Sequence, residues 1–253
     1  MAPFRQFFAT DLPILTYHKI GPRPRGARLK GLYLSHKLFA AQLAELKSAG
    51  FKSITLDDAL QNGSLTTAPA RIVITFDDGF QNTLEHALDP LRENQFRAIQ
   101  FIVAGCIGQQ NIWDGPDGEV PATLMDASQI REWLAAGHQI GSHSLTHPGL
   151  TQLDLKVARE EICSSKKLLE DQFGIGIHHF CYPYGDWNPA IRDLVREAGY
   201  LSACTTEFGV NKRGDSPLSL KRITARYPSR NWKNFKQWFS RKFFNAAPRQ
   251  SKV

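Results

Sequence analysis

The sequence predicts an α/β fold in which strands and helices alternate around one large core. Short apolar segments with β-branched residues alternate with longer segments whose apolar residues recur at helical spacing, a pattern typical of parallel β/α units. The chain has 253 residues and is 42% hydrophobic, which is enough for a single-domain α/β barrel. In folds of this class the functional side chains lie at the carboxyl ends of the strands.

Eight segments are predicted to be strands, because each is short, rich in branched or aromatic residues and bounded by turn-forming residues. They are residues 12–18, 51–56, 72–74, 98–103, 139–143, 179–183, 201–205 and 218–223. One predicted helix begins after a capping Ser35 and ends at Gly50, and another begins at Asn188-Pro189. The other predicted helices are 81–93, 130–134 with Gly137 as its C-cap, and 158–169 with Gly174 at its end.

The net charge of +7 is concentrated at the C-terminal end of the chain. Residues 221–253 hold 10 of the 31 Lys and Arg residues and no Asp or Glu, so residues 1–220 carry 21 basic and 24 acidic residues. A mildly acidic body with a basic tail does not indicate nucleic-acid binding by the whole fold, and we expect no nucleic-acid partner. The 4 cysteines form no C-x-x-C pair and do not predict a disulfide framework.

The first candidate site follows the predicted strand 72–74. Asp77 and Asp78 stand where that strand ends, and Gly79 allows the chain to turn sharply there. Two carboxylates at one strand end cost free energy unless a partner offsets them. Because adjacent side chains of a strand face opposite sides, one carboxylate can hold a cation while the other acts as a base. A solvated Asp-Asp-Gly turn is the alternative interpretation.

A pair of histidines follows the predicted strand 139–143. His143 and His147 are four residues apart, but Pro148 disfavours a helix at His147. We therefore predict a strand-to-loop turn with both imidazoles facing the barrel mouth. Two histidines and one carboxylate are a common ligand set for zinc or a similar divalent ion, and they leave positions open for water and substrate. Solvated or core histidines are the alternative.

Three further features lie at predicted strand ends or in the loops between strands. The strand 179–183 runs into Tyr184-Gly185, His18 ends the first strand, and Trp113 lies in a polar loop. Each of these features also has a purely structural interpretation: an aromatic-rich turn, a structural histidine and a loop anchor.

Together these motifs resemble the polysaccharide deacetylases, carbohydrate esterase family 4, which carry the NodB homology domain. The matching motifs, in order along the chain, are Thr75-Phe-Asp-Asp-Gly79, His143-Ser-x-x-His147 and Phe180-x-Tyr-Pro-Tyr-Gly185. The resemblance covers about residues 10–225, and the segments around His18 and Ile223 are similar to the poly-N-acetylglucosamine deacetylase branch. It implies a distorted (β/α)7 TIM-like barrel over residues 1–228, followed by a basic aromatic tail at 229–253.

The resemblance also implies a role for each matching residue. Asp78, His143 and His147 match the metal triad, which implies a divalent ion, zinc first, with cobalt or nickel as alternatives. Asp77 matches the catalytic base. Tyr184 matches the residue whose backbone N–H helps to bind the oxyanion, and its ring is a candidate for packing on a sugar.

Two departures from the family pattern affect the remaining roles. The usual third motif carries an arginine that supports the base, whereas Phe180 or Cys181 stands near that position here. Arg222 on the last predicted strand is the expected replacement. The Leu-x-His motif that supplies the acid in many members is not evident, so the resemblance places the general acid at His18.

The C-terminal tail combines basic and aromatic residues. Trp232, Phe235, Phe239 and Phe243 recur at helical spacing, with the basic residues mostly off that stripe. We predict a helix that either packs on the barrel or lies on an anionic membrane as a peripheral contact. No N-terminal signal peptide is visible, which predicts a cytoplasmic location, at the inner face of the membrane if the tail binds lipid.

Three functions are compatible with these residues. The first is a metal-dependent hydrolase that removes N-acetyl groups from N-acetylated sugars of a polysaccharide or lipid-linked glycan, with Trp113 as a second residue for sugar packing. The second is a deformylase or an O-acetyl esterase on a glycan. The third is a non-catalytic carbohydrate-binding module, which Asp77 disfavours because binding alone needs no base beside a metal. No Gly-rich motif supports hydride chemistry or phosphate binding.

Overall fold

The computed structural model describes residues 11–61, 64–68, 70–116 and 118–225. Within this part of the chain the β-strands are β1 Ile14–Tyr17, β2 Lys19–Ile20, β3 Tyr33–Leu34, β4 Lys52–Ser53, β5 Leu60–Gln61, β6 Ser64–Leu65, β7 Arg71–Phe76, β8 Ile99–Ile102, β9 Gln139–Ser142, β10 His179–Cys181, β11 Ser202–Phe208 and β12 Leu220–Thr224. The predicted aromatic helix of the tail lies outside the described residues.

Seven of these strands form a closed parallel barrel. Their order around the barrel is β1-β12-β11-β10-β9-β8-β7, and β7 pairs again with β1 to close it. The closing register runs from Ile14 opposite Val73 to Tyr17 opposite Phe76. The short β4 pairs in parallel with the start of β7. The barrel confirms the predicted fold class, and it brings the carboxyl ends of all seven strands to one mouth.

The α-helices follow the strands in sequence. They are α1 His36–Ser48, α2 Leu56–Ala59, α3 Gln81–Asn94, α4 Ala127–Ala135, α5 Leu155–Phe173 and α6 Pro189–Glu197. The predicted caps of two helices are confirmed: Ser35 Oγ accepts from the Leu38 N–H, and Asn188 Oδ1 accepts from the Ile191 N–H. These caps satisfy N–H groups that the first turn of a helix leaves without an internal partner.

The core has two main parts, which follow from the alternation of side chains along the strands. Ile72, Ile74 and Phe76 of β7 belong to the larger apolar cluster, which includes the buried residues of the helices. Val73 belongs to a separate cluster with inward-facing residues of the neighbouring strands, such as Phe101. Continuing the same alternation, Asp77 follows Val73 and Thr75 on the inner side.

Residues 51–56 differ from the prediction of one continuous strand. Only β4, Lys52–Ser53, is extended, because Thr55 caps α2. The Thr55 side chain accepts from the Asp58 N–H at 3.0 Å, and the Asp58 carboxylate accepts from the Thr55 N–H at 3.2 Å. This reciprocal capping box favours a helix start over an extended chain.

The first strand ends at Tyr17, one residue before the predicted end at the candidate acid His18. His18 lies between β1 and β2, at the carboxyl end of the barrel. The following β2 leaves the barrel and pairs with β3 in a separate two-stranded sheet. Among the helices in the described part of the chain, none is both long and apolar enough to cross a membrane.

Candidate active site

Asp77 lies directly after β7 and forms a buried pair with Arg222 of β12. The two residues are only 2% and 1% exposed. Arg222 Nη1 and Nη2 donate to Asp77 Oδ1 and Oδ2, each at 2.7 Å, in a bidentate arrangement. Arg222 Nε also donates to the Thr205 carbonyl at 2.8 Å, which fixes the plane of the guanidinium group. The orientation of the Asp77 carboxylate is thus set by the last strand of the barrel.

The environment of Asp77 keeps its carboxyl group ionised. Burial acts to raise its pKa, but the charge of Arg222, the nearby His18 and the hydrogen bonds from Arg222 outweigh burial and lower the pKa. His18 Nε2 lies 3.7 Å from Asp77 Oδ2, beyond hydrogen-bond distance. Asp77 is therefore a carboxylate at neutral pH and can act as a proton acceptor.

Asp78 and the two predicted histidines form a compact cluster beside Asp77. Asp78 Oδ1 lies 3.3 Å from His143 Nε2 and 3.3 Å from His147 Nε2, and all three residues are buried. The potential ligand atoms all lie within 4.8 Å of one another. The φ of Asp78 is +73°, next to Gly79 at +81°, so the chain turns at Asp78. This turn directs the two adjacent carboxylates to different partners.

The hydrogen bonds of this cluster suit a bound cation. His143 Nδ1 lies 2.8 Å from the Cys181 carbonyl, and because a carbonyl only accepts, this nitrogen carries the hydrogen. With a cation bound at the cluster, His143 Nε2 would then present its lone pair to the cation, as in histidines that bind metals. Burial acts to raise the pKa of Asp78, but hydrogen bonds with His143 and His147 hold it well below its usual value. An N, N, O ligand set of this kind fits zinc and related divalent ions.

A second group of potential ligands, Asp77, His143 and Cys181, overlaps with the first. Both oxygens of Asp77 already accept from Arg222. Burial raises the pKa of the Cys181 thiol well above its usual value, which keeps the sulfur protonated, whereas metals bind the thiolate. The cluster of Asp78, His143 and His147 is therefore the better candidate for a metal.

Two aromatic residues border the cluster. The Trp113 ring stacks on His147 with a centroid distance of 4.5 Å, and Tyr184 packs edge-on against the same imidazole at 4.6 Å. Tyr184 is 54% exposed, so much of its side chain faces solvent. Its φ of +58° belongs to the turn after β10, where the Tyr184 carbonyl accepts from Thr206 Oγ1 at 3.2 Å. Both residues thus lie where a substrate can reach them.

The geometry of this site matches a known family of proteins. The polysaccharide deacetylase family model matches residues 64–203, more than half of the chain. The chain belongs to the polysaccharide deacetylase family. The matched region contains β7 with both aspartates, both histidines of the cluster and Tyr184, whereas His18 and Arg222 lie outside it.

Individual deacetylases are similar over most of the chain. YxkH of Bacillus subtilis, described as a polysaccharide deacetylase, is 26% identical over 84% of this chain and 70% of its own length. The poly-β-1,6-N-acetyl-D-glucosamine N-deacetylase of Staphylococcus aureus is 26% identical over 68% of this chain, and the match spans 60% of that protein. The deacetylase PplD of Streptococcus pyogenes has the same fold, with a TM-score of 0.74, 24% identity and coverage of 90% of this chain and 98% of PplD.

Arg222, the expected replacement for the arginine of the third motif, contacts both Asp77 and Cys181 in the structure. Cys181, near the usual arginine of the third motif, lies on β10, and Arg222 Nη2 approaches its Sγ to 3.2 Å. The guanidinium group therefore reaches the inner space beside β10 from another strand, β12. Arg222, His18, Trp113 and Tyr184 all lie near the aspartates and histidines, although their catalytic roles stay predictions.

Sequence reasoning missed Glu161, which supports the turn between the two histidines of the candidate site. Its Oε2 accepts from the Leu145 and Thr146 N–H groups, each at 2.9 Å, and its Oε1 accepts from Thr146 Oγ1 at 2.6 Å. Glu161 lies on α5, on the side that also buries Ile162. A carboxylate on the apolar stripe of a predicted helix was the available signal, because such a group requires hydrogen-bond partners.

Proposed function

We propose that this deacetylase is a metal-dependent N-deacetylase that acts on N-acetylated sugars of a polysaccharide or a lipid-linked glycan. The observation that carries the proposal is a buried carboxylate, Asp77, held by Arg222 directly beside a cluster of Asp78, His143 and His147. A hydrolase of this type needs a base and a cation at one carbonyl group, and these residues supply both.

The cation would be held by Asp78 Oδ1 and by Nε2 of both histidines, with zinc expected first and cobalt or nickel as alternatives. When bound, such an ion polarises a carbonyl group and lowers the pKa of water from about 15.7 towards 7. Trp113 and Tyr184 cover His147 on two sides and hold its ring in place. His143 belongs to both groups of potential ligands, so the cluster borders Asp77, where the base is needed.

Asp77 is the proposed general base. Its carboxylate accepts a proton as water attacks the acyl carbon, a contribution of roughly 10²–10⁴-fold in rate. The bidentate contact with Arg222 fixes the carboxylate plane and prevents it from turning towards the histidines. The backbone N–H of Tyr184 is proposed to donate to the oxyanion, and its exposed ring to pack on the sugar together with Trp113.

His18 is the proposed general acid that protonates the departing amine. Its Nε2 lies 3.7 Å from Asp77 Oδ2 and its side chain is 19% exposed, so a substrate can contact it. Burial lowers the pKa of His18, although the charges of Asp77 and Asp78 act in the opposite direction. The imidazolium is therefore a stronger acid than a free histidine, and its population increases as the pH falls below neutral.

Two other functions use the same geometry. Deformylation differs from N-deacetylation only in the acyl group, and O-deacetylation differs from it only in the leaving atom. No contact described above distinguishes these three reactions. A non-catalytic carbohydrate-binding module is disfavoured, because the buried pair of Asp77 and Arg222 adds nothing to sugar binding. The cytoplasmic location and the membrane contact of the tail stay predictions.

The decisive test is acetate release from N-acetylglucosamine oligomers by the purified protein, with and without added zinc. We expect zinc-dependent release that falls at least about 100-fold in Asp77→Asn and His143→Ala, since each removes one required group. Asp89→Asn, an exposed carboxylate of α3, is the matched control and should retain activity. Mass analysis of the product distinguishes loss of acetyl from loss of formyl groups.

Release that is unchanged in Asp77→Asn would exclude this residue as the base. A zinc-loaded protein that releases no acyl group from any N-acetylated, N-formylated or O-acetylated glycan would contradict the proposed function as a whole.

A further inference from the structure

The loop after β2 gathers positive charge and contains no carboxylate of its own. Arg23, Arg25, Arg28 and Lys30 lie within residues 23–30, and residues 21–31 include no Asp or Glu. All four side chains are exposed. The ion pairs found in the described part of the chain involve other cations. Four like charges in a short loop repel one another, and a bound anion would relieve that repulsion.

This basic loop, residues 21–31, is held in place by hydrogen bonds of its backbone. The Arg28 and Leu29 N–H groups donate to Glu119 Oε2 at 2.7 and 2.5 Å, and the Tyr33 hydroxyl donates to Glu119 Oε1 at 2.8 Å. The Gly21 N–H donates to the Leu34 carbonyl at 2.8 Å. Glu119 is therefore engaged by backbone and hydroxyl groups, which leaves the arginine side chains available to a ligand.

The basic loop lies at the rim of the catalytic mouth. It begins directly after β2, three residues beyond His18, and residues 31–34 line a narrow crevice together with residues 16–18 and 224–225. Glu119, which anchors the basic loop, belongs to the same connection between β8 and α4 as Trp113. Trp113 in turn stacks on His147. A ligand of the basic loop would thus be close to a sugar bound at the mouth.

The basic loop surrounds a depression that is large enough for an anionic ligand. Residues 23–28 and Lys30 surround an open depression of about 810 Å³, which is large enough for a sugar phosphate.

We propose that the basic loop binds a phosphate group of the substrate, and that the substrate is therefore a phosphate-bearing N-acetylated sugar, such as a diphosphate-linked one. This inference rests on the proposed deacetylase function. Arginine side chains donate two hydrogen bonds to a phosphate in a fixed geometry, and neither Arg23 nor Arg25 forms an ion pair with any residue that the structure describes. A positively charged mouth also increases the rate at which an anionic substrate arrives.

The test compares Arg23→Gln/Arg25→Gln with Lys156→Gln/Arg213→Gln, which removes the same charge from exposed positions outside the basic loop. Zinc-loaded protein is given two soluble probes, UDP-N-acetylglucosamine as a diphosphate diester and methyl N-acetylglucosaminide as a neutral sugar. Calorimetric titration measures binding without any turnover, and product analysis measures kcat/KM for each probe. Thermal unfolding checks that both variants are folded.

We expect UDP-N-acetylglucosamine to bind the unmodified chain more tightly than the neutral sugar. The Kd of UDP-N-acetylglucosamine should rise by about ten-fold or more in Arg23→Gln/Arg25→Gln, which corresponds to the loss of at least one charge-assisted contact. The control should bind like the unmodified chain. The ratio of kcat/KM between charged and neutral probes should fall by a similar factor. An unchanged Kd in the loop variant, or an equal loss in the control, would overturn the proposal.

The source of the phosphate is tested separately with phosphatidylcholine vesicles, with and without phosphatidylglycerol. If the loop variant loses vesicle binding but binds UDP-N-acetylglucosamine as before, the loop contacts lipid headgroups and the assignment to substrate is wrong. Failure of the deacetylase function is distinguishable from these outcomes, because the titration requires no acyl release. Loop-dependent binding of the diphosphate without hydrolysis would support the phosphate site and contradict only the reaction.

Discussion

At the scale of single residues, the pair of Asp77 and Arg222 is the most constrained contact of the site. Both groups are buried, and the two hydrogen bonds between them are short and parallel. Such a pair need not stabilise the fold relative to an apolar core, but removal of one partner leaves an uncompensated charge. Loss of Arg222 should therefore lower the stability of the fold, an effect that can be measured separately from catalysis.

We expect Arg222→Met to lower the free energy of unfolding by about 3–5 kcal/mol, because the buried Asp77 carboxylate then lacks its partner. Urea unfolding at neutral pH measures this change. Asp77→Asn/Arg222→Met should recover part of the loss, since the charge is also removed. Arg92→Met, which breaks an exposed pair with Asp89, is the control and should change stability by less than about 0.5 kcal/mol. A double variant less stable than Arg222→Met would contradict this explanation.

At the scale of secondary-structure elements, the candidate ligands depend on the helix that packs behind them. His143 directly follows β9, and His147 lies on a turn in which Ser144 and His147 both have positive φ, at +64° and +68°. Glu161 of α5 accepts three hydrogen bonds from residues 145–146 of this turn. Helix α5 of the outer layer thereby holds the two candidate ligands, His143 and His147, in position beside Asp78.

We expect Glu161→Ala to weaken zinc binding by about 10–100-fold, the range found when residues that orient metal ligands are lost. Competition with a chelator of known affinity measures the change. Glu160→Ala, an exposed neighbour on the same helix, is the matched control and should retain full affinity. Zinc affinity in Glu161→Ala equal to that of the control, with both variants folded, would show that the turn keeps its geometry without this carboxylate.

At the scale of the whole molecule, the two ends of the barrel differ in chemistry. The carboxyl end holds the charged residues of the candidate site, whereas the amino end contains a buried neutral histidine. His138 precedes β9, is 6% exposed, and its Nδ1 accepts from the Ala98 N–H at 3.3 Å. Burial, with a smaller effect of Arg97, lowers its pKa to about 4.

This histidine should make the barrel sensitive to acid. Its pKa in the folded state is lower than in the unfolded state, where it is near 6.5. The unfolded chain therefore binds the proton first as the pH falls. We expect His138 to reduce the free energy of unfolding by up to about 3 kcal/mol between pH 7 and pH 4. Urea unfolding across this range should show a shallower loss for His138→Asn than for the unmodified chain, whereas the exposed His36→Asn should follow the unmodified chain. Parallel curves for His138→Asn and the unmodified chain would contradict this assignment.

The sequence by itself determined the alternation of strands and helices and the positions of the two aspartates and two histidines at strand ends. These features follow from local patterns, since periodicity, helix caps and turn residues act over a few neighbouring positions. The sequence also provided the motif order that indicates the deacetylase family. It failed at residues 51–56, where the capping box of Thr55 and Asp58 is stronger than the strand pattern.

Only the tertiary structure decided which distant residues meet at the mouth. Arg222 and Asp77 are 145 residues apart, and they meet because barrel closure places β12 next to β1 and β1 next to β7. Glu161 was missed because its role depends on long-range contacts with the histidine turn. The basic loop was passed over for the same reason, since it is held by a long-range contact with Glu119. A sequence pattern specifies the face on which a side chain lies, whereas the closure of the sheet determines its neighbours.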